Sequence, residues 1–134
     1  MNPIIEEQLK VLQKNYPDAS AKPLPSGAHL ITVPDVKLPD GWNRQTVAIL
    51  FLAPPGYPAG QPDCFWADPI EEPGALRFGA EKNQTPQASN DSNPIPEVGP
   101  RGTWFSWHLQ SWDPNRDSLL TYLNVIKQRL NPPR

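Results

Sequence analysis

The sequence predicts an α+β fold: an N-terminal helix, a four-stranded antiparallel meander, a long irregular flap and a C-terminal amphipathic helix. Three observations predict it. Helical periodicity occurs only near the two ends of the 134-residue chain. Between them lie short apolar runs with strand character, each bounded by Pro or Gly. The 19 prolines, about three times average usage, stand at the ends of those runs and so punctuate strands and turns. Five Trp, four Phe and three Tyr supply the large buriable groups that a disordered Pro-rich chain lacks.

Asn2 can cap a helix whose first position is Pro3, where the missing N–H costs no hydrogen bond. Glu6 and Glu7 then sit where the helix dipole favours negative charge, and Ile5, Leu9 and Leu12 form an apolar stripe. This helix is expected over residues 3 to 16, before Pro17. Ala28 to Val33 (AHLITV), Thr46 to Ala53 (TVAILFLA) and Asp63 to Ala67 (DCFWA) read as strands. TVAILFLA is almost continuously apolar, so both its faces must be covered; it is the expected central strand, with helices as the available cover. Tyr57 to Pro62 should form a rigid turn. From about residue 70 to 102 the pattern gives way to Pro, Gly, Asn, Ser and Gln with few apolar anchors, and no long regular element is expected there. A second ordered stretch, GTWFSWHLQSW, leads into the last helix, expected over residues 115 to 130. Asn115 is its candidate cap; Leu119, Leu123, Ile126 and Leu130 share one face, and Lys127 and Arg129 suit its C-terminal end.

A chain of this length supports one core, so residues 1–134 are read as a single domain. Net charge is -2 and the basic residues are scattered, which disfavours nucleic acid or an anionic membrane as partner. No apolar run reaches the length of a membrane span, and Met1-Asn2-Pro3 does not open a signal peptide, so a cytoplasmic protein is expected. One cysteine and two well-separated histidines cannot assemble the usual four-ligand structural zinc site, and no metal or other cofactor is expected.

Two short motifs carry a resemblance. Pro55-Gly56-Tyr57-Pro58-Ala59-Gly60-Gln61-Pro62-Asp63-Cys64-Phe65-Trp66 resembles the Tyr-Pro-x-x-x-Pro-x-x-x-Phe-type passage between the second and third strands of the ubiquitin-conjugating (UBC) superfamily. Trp112-Asp113-Pro114 resembles the Trp-x-Pro that ends the active-site loop of those enzymes and opens their central helix. The element order matches as well, and the chain looks most like the prokaryotic family E branch. It stops where eukaryotic members add two more C-terminal helices. The resemblance implies a UBC-like fold and a bacterial conjugating enzyme that takes the C-terminus of a ubiquitin-like protein from an activating enzyme. It also implies a JAB-type peptidase in the same pathway. The sequence departs from the wider family at two points. Asn93-Pro94 is the nearest match to the flap motif His-Pro-Asn, and Arg101 to Ser111 holds no cysteine where the family places its nucleophile.

Ser106 lies in that region, within Trp104-Phe105-Ser106-Trp107-His108. A serine hydroxyl is protonated at neutral pH and needs a base; His108, two residues on, would share its face in an extended segment. Ser106 and His108 are therefore the candidate catalytic pair, with an oxyester as the product. Asn90, Asn93 or backbone amides around Gly102 and Thr103 are candidate oxyanion donors. Cys64 is the intrinsically better nucleophile. Strand alternation, however, puts it on one face with Trp66 inside DCFWA, and it is expected to be a buried core residue. The competing function is a non-catalytic UBC variant that scaffolds a ubiquitin-like protein or its activating enzyme.

Overall fold

The computed structural model describes residues 2–67, 74–98 and 102–134. Helix α1 spans Pro3–Gln13. Asn2 caps it: its side-chain oxygen accepts the Ile4 N–H at 2.8 Å, and its amide donates to the Tyr57 carbonyl at 2.9 Å. The helix stops short of residue 16 as the amides of Lys14 and Asn15 bond three residues back, to the Val11 and Leu12 carbonyls, and tighten its last turn.

Helix α2 spans Leu119–Arg129, four residues shorter at its start than expected. Asn115 is not its cap. The Asp113 carboxylate accepts the Asn115 N–H and the Asp117 carboxylate accepts the Asp113 N–H, which closes residues 113–117 into a turn of their own. The helix opens one residue later on a capping box: the Ser118 side chain accepts the Thr121 N–H, and the Thr121 hydroxyl accepts the Ser118 N–H at 2.9 Å.

The sheet has six strands and is not the simple four-stranded meander expected: β1 (Ser20–Pro23), β2 (His29–Lys37), β3 (Thr46–Ala53), β4 (Phe65–Ala67), β5 (Ser89–Asn90) and β6 (Trp104–Phe105). Their spatial order is β1-β2-β3-β4-β6-β5, with every pair antiparallel. The extra strands are short and polar, SAKP and SN. Neither carries the alternation that marks a strand in sequence, and each forms because a neighbouring edge offers unpaired backbone groups. TVAILFLA is interior, as its composition demands.

The two faces of β3 are covered differently. On one, Ile49 and Phe51 join Ile5 and Leu12 of α1 and Leu119, Tyr122, Leu123 and Ile126 of α2. Each such side chain, fully buried, contributes roughly 1.5–3 kcal/mol. On the other, Leu50 packs with Leu30, Trp66 and Ile95, and Val98 lies against them. The second cover is therefore the flap, not a helix. Its anchors are spaced too widely to register as a pattern: Leu76 and Ile95 are buried, Glu97 accepts hydrogen bonds from Ser26, and Arg77 pairs with Asp91. Among the described residues of the flap the only strand is the two-residue β5; positions 70–73 and 99–101 of the expected flap lie outside the described residues.

His29 on β2 is buried, and that burial holds its imidazole below the usual 6.5. The folded state then binds fewer protons than the unfolded chain, so stability falls as pH drops from about 6.5 through the lowered value. Denaturant midpoints of wild type and His29→Gln, measured from pH 7.5 to 5, should diverge, with the variant flatter. Parallel slopes would contradict the assignment.

Candidate active site

The two motifs at Tyr57-Pro58 and Trp112-Asp113-Pro114 meet in space. The Trp112 indole N–H donates to the Pro58 carbonyl at 2.8 Å, and the Tyr57 and Trp112 rings lie 5.9 Å apart. The Tyr57 hydroxyl donates to the Gln8 side-chain oxygen, which also accepts the Leu119 N–H at 3.0 Å. One half-buried glutamine thus locks the Tyr-Pro turn to the start of α2, and the chain between the turn and β4 is held against the chain between β6 and α2.

That clamp brings three polar side chains to the end of the β4–β6 ladder. The register is Phe65 opposite Phe105 and Trp66 opposite Trp104. Continued by one residue, it sets Cys64 opposite Ser106. Phe105 is buried and stacked on Phe65, with ring centroids 4.7 Å apart. Trp107 packs partly buried against the same core. Ser106 and His108 consequently share the other face, as residues two apart in extended chain must. Ser106 Oγ lies 3.4 Å from His108 Nε2. This is long for a hydrogen bond, and within the looseness expected of a site before its substrate closes on it.

His108 Nδ1 contacts the Asp63 carboxylate. A carboxylate accepts, so this contact favours the tautomer with the proton on Nδ1 and leaves Nε2 free to take a proton from Ser106. Asp63 and His108 side chains are 55% and 60% exposed. A hydroxyl, an imidazole and a carboxylate thus stand in line, an arrangement that can support nucleophilic catalysis by a hydroxyl. Asp63 was not among the residues singled out from sequence.

Cys64 is not where alternation placed it. Strand β4 begins at Phe65, and Cys64 has φ +62° and is only partly buried. A left-handed residue breaks the up-and-down alternation of a strand and costs a non-glycine roughly 1–2 kcal/mol. Here the kink turns Asp63 and Cys64 toward one side, and the Cys64 N–H donating to the Trp107 carbonyl at 3.0 Å holds it. Ligand atoms of Asp63, Cys64 and His108 all lie within 4.8 Å of one another. No hydrogen bond joins the thiol to His108, and burial pushes the Cys64 thiol up. The Tyr122 hydroxyl, also raised by burial, donates to the same Trp107 carbonyl at 3.3 Å.

The hydrogen bonds at the oxyanion candidates engage mainly their acceptor atoms and the Thr103 hydroxyl. The Asn90 side-chain oxygen accepts from Ser92 and from the Asn93 N–H, and the Asn93 carbonyl accepts the Trp66 indole N–H. The Thr103 hydroxyl accepts the Leu76 N–H and donates to Asp91. The Ser106 N–H donates to the Ala88 carbonyl at 2.8 Å. These bonds fix the flap against β6.

A groove of about 500 Å³ runs from His108 along α2, with Trp107, Gln110, Thr121, Gln128 and Arg129 among its walls. Among the described residues, no helix is long and apolar enough to cross a membrane. One protein-family profile, Prokaryotic E2 family E, matches residues 18–132. No curated protein and no solved structure matches the chain.

Proposed function

The chain belongs to prokaryotic E2 family E, and on that premise we propose that it accepts the C-terminus of a ubiquitin-like protein on Ser106, as an oxyester, and passes it to an acceptor amine or hydroxyl. Family membership carries the coarser part, a role in ubiquitin-like conjugation involving a ubiquitin-like protein and its activating enzyme. The observation that supports the finer part is the run of contacts Ser106 Oγ, His108 Nε2, His108 Nδ1, Asp63.

In the charging step His108 Nε2 takes the Ser106 proton while Oγ attacks the thioester carbonyl carbon held by the activating enzyme. The carbon–sulfur bond breaks, and the departing thiolate takes the proton back from His108. Asp63 steadies the transient imidazolium through Nδ1–H, without itself becoming protonated. Transfer onward repeats the sequence with an acceptor amine or hydroxyl attacking the oxyester carbonyl and Ser106 leaving as the alcohol. The groove beside His108 offers an approach for an extended C-terminal tail. A JAB-type peptidase would release the modifier again by hydrolysis.

A second reading follows from the position of Cys64, since its thiol also lies near His108 and Asp63. In that reading Cys64 carries a thioester. Ser106 is preferred because its hydroxyl already contacts Nε2, whereas the thiol has no bond to His108 and is shifted away from ionisation. A scaffold without catalysis is the remaining alternative.

Incubation with the cognate activating enzyme, ubiquitin-like protein and ATP separates the three. The expected result is a covalent adduct that survives thiol reductant and is cleaved by hydroxylamine, formed by Cys64→Ala as readily as by wild type. A reductant-sensitive adduct absent from Cys64→Ala selects the thioester, and no adduct under any condition selects the scaffold.

A further inference from the structure

We infer that Asp63, Cys64 and His108 together form a binding site for a thiophilic divalent cation, best fitted by zinc, and that its occupancy disables His108 as a base. The three side chains offer one carboxylate oxygen, one sulfur and one imidazole nitrogen, all within 4.8 Å of one another. A tetrahedral zinc ion with bonds of about 2.0–2.3 Å sets such ligands roughly 3.3–3.7 Å apart. The thiol must therefore close by at most about an ångström, while the Asp63–His108 contact opens to admit the ion. Asp63 and His108 are more than half exposed, so rotation of two surface side chains supplies that movement.

The donor set decides the metal. Calcium and magnesium call for an oxygen shell, which a thiol and an imidazole do not supply. Thiolate, imidazole and carboxylate are together the ligands zinc uses, and three protein ligands leave a fourth position for water. The reading from sequence that one cysteine and two separated histidines cannot build a four-ligand structural site is unaffected. Such a site would be open and solvent-facing, with no bearing on the fold. What makes it possible is the left-handed Cys64, which brings two consecutive residues to one side, held by the Cys64 N–H on the Trp107 carbonyl.

The second contact of His108 gives the site its consequence. A histidine that ligates zinc through one ring nitrogen commonly donates its other N–H to a neighbour. Here Nδ1 faces Asp63 and Nε2 faces Ser106 Oγ at 3.4 Å. With the ion on Nδ1, Nε2 carries a proton and donates to Ser106, so it can no longer take the serine proton. Metal binding releases the Cys64 thiol proton to solvent and changes no oxidation state. The inhibitory half of the inference rests on the catalytic reading of Ser106 and His108; the binding half does not.

Cobalt(II) replaces zinc in such sites and reports thiolate ligation by a charge-transfer band. Titrating the full chain with cobalt(II) should give that band at one ion per chain, bleached by one equivalent of zinc. Cys64→Ser should lose the band. His108→Gln should weaken cobalt binding at least tenfold, Asp63→Asn should also weaken it, and Ser106→Ala, which removes only the partner of Nε2–H, should weaken it less than His108→Gln does. Circular dichroism of each variant reports whether it is folded, and all four positions lie at or near the surface. Absence of a charge-transfer band at excess cobalt, or a His108→Gln titration identical to wild type, overturns the site. In the charging assay zinc should suppress the wild-type adduct at the concentration that saturates the cobalt competition. Binding without suppression overturns the inhibitory half. A chain that binds cobalt as described yet forms no adduct at all overturns the catalytic reading and leaves the metal site standing.

Discussion

Ser106→Ala should abolish charging with the ubiquitin-like protein, and His108→Ala should slow it by about 10² to 10⁴, the usual contribution of a positioned general base. The two effects differ in kind. Without Oγ there is no atom to form the ester, whereas without the imidazole the hydroxyl remains but loses its proton only to water. Ser106→Cys separates them further. A thiol at the same position ionises far more readily, so its adduct should be reductant-sensitive and should form with much less dependence on His108. The double variant Ser106→Cys with His108→Ala should therefore recover much of what His108→Ala loses in the serine background. Charging of Ser106→Ala at the wild-type rate would remove serine from the reaction, and Cys64 would then be the group to vary.

The pairing of Ser106 with His108 was legible because it needs only local geometry: two residues apart in extended chain share a face, and the buried Phe105 and partly buried Trp107 fix which face. Asp63 was not legible. It reaches His108 across a three-residue strand whose register is set by Phe65 on Phe105 and Trp66 on Trp104, a pairing 40 residues apart in the chain. The position of Cys64 was misread for a related reason. Alternation assumes extended backbone, and a left-handed cysteine leaves little mark in the sequence. The one available signal was the run Asp63-Cys64 directly after Pro62, where a proline-bounded entry into a strand invites irregular backbone.

The fold divides along the same line. Asn2 before Pro3, the apolar stripe of the first helix and the unbroken apolar run of β3 each express one physical requirement strongly, and the structure has them. The cap of α2 went to Ser118 because the aspartates at 113 and 117 compete for the preceding backbone amides. Strands β1 and β5 carry no apolar signal, since their pairing is decided by the edges they complete. The flap holds its place through single residues, Leu76, Ile95 and Glu97, spread over more than twenty positions.

Arg129→Ala should destabilise the protein by about 3 kcal/mol or more, and Arg129→Met by about 1 kcal/mol. Arg129 stands at the end of α2, where a cation suits the helix dipole, yet it is almost fully buried. Its guanidinium lies over the rings of Phe105 and Trp107, at 5.0 and 5.3 Å from their centroids. Its Nη2 donates to the carbonyls of Gln87 and Arg134, at 2.7 and 3.0 Å. Burial, and secondarily Arg134, lowers its pKa to about 10, so it stays charged at neutral pH. Alanine opens a void between two aromatic rings and strips donors from two carbonyls, which joins a cavity cost to lost charged hydrogen bonds, each about 1.5–3 kcal/mol. Methionine refills most of the void and removes a charge that is costly to bury, so its loss is smaller. Guanidinium chloride unfolding with an unchanged slope measures both differences. Arg129 has no hydrogen bond to Ser106 or His108 but lines the groove beside His108, so either variant, where folded, should still be charged, though more slowly than wild type. If Arg129→Ala unfolds within 1 kcal/mol of wild type, the guanidinium contributes no net stability, and the tie between α2, the flap and β6 must be carried by the apolar contacts alone.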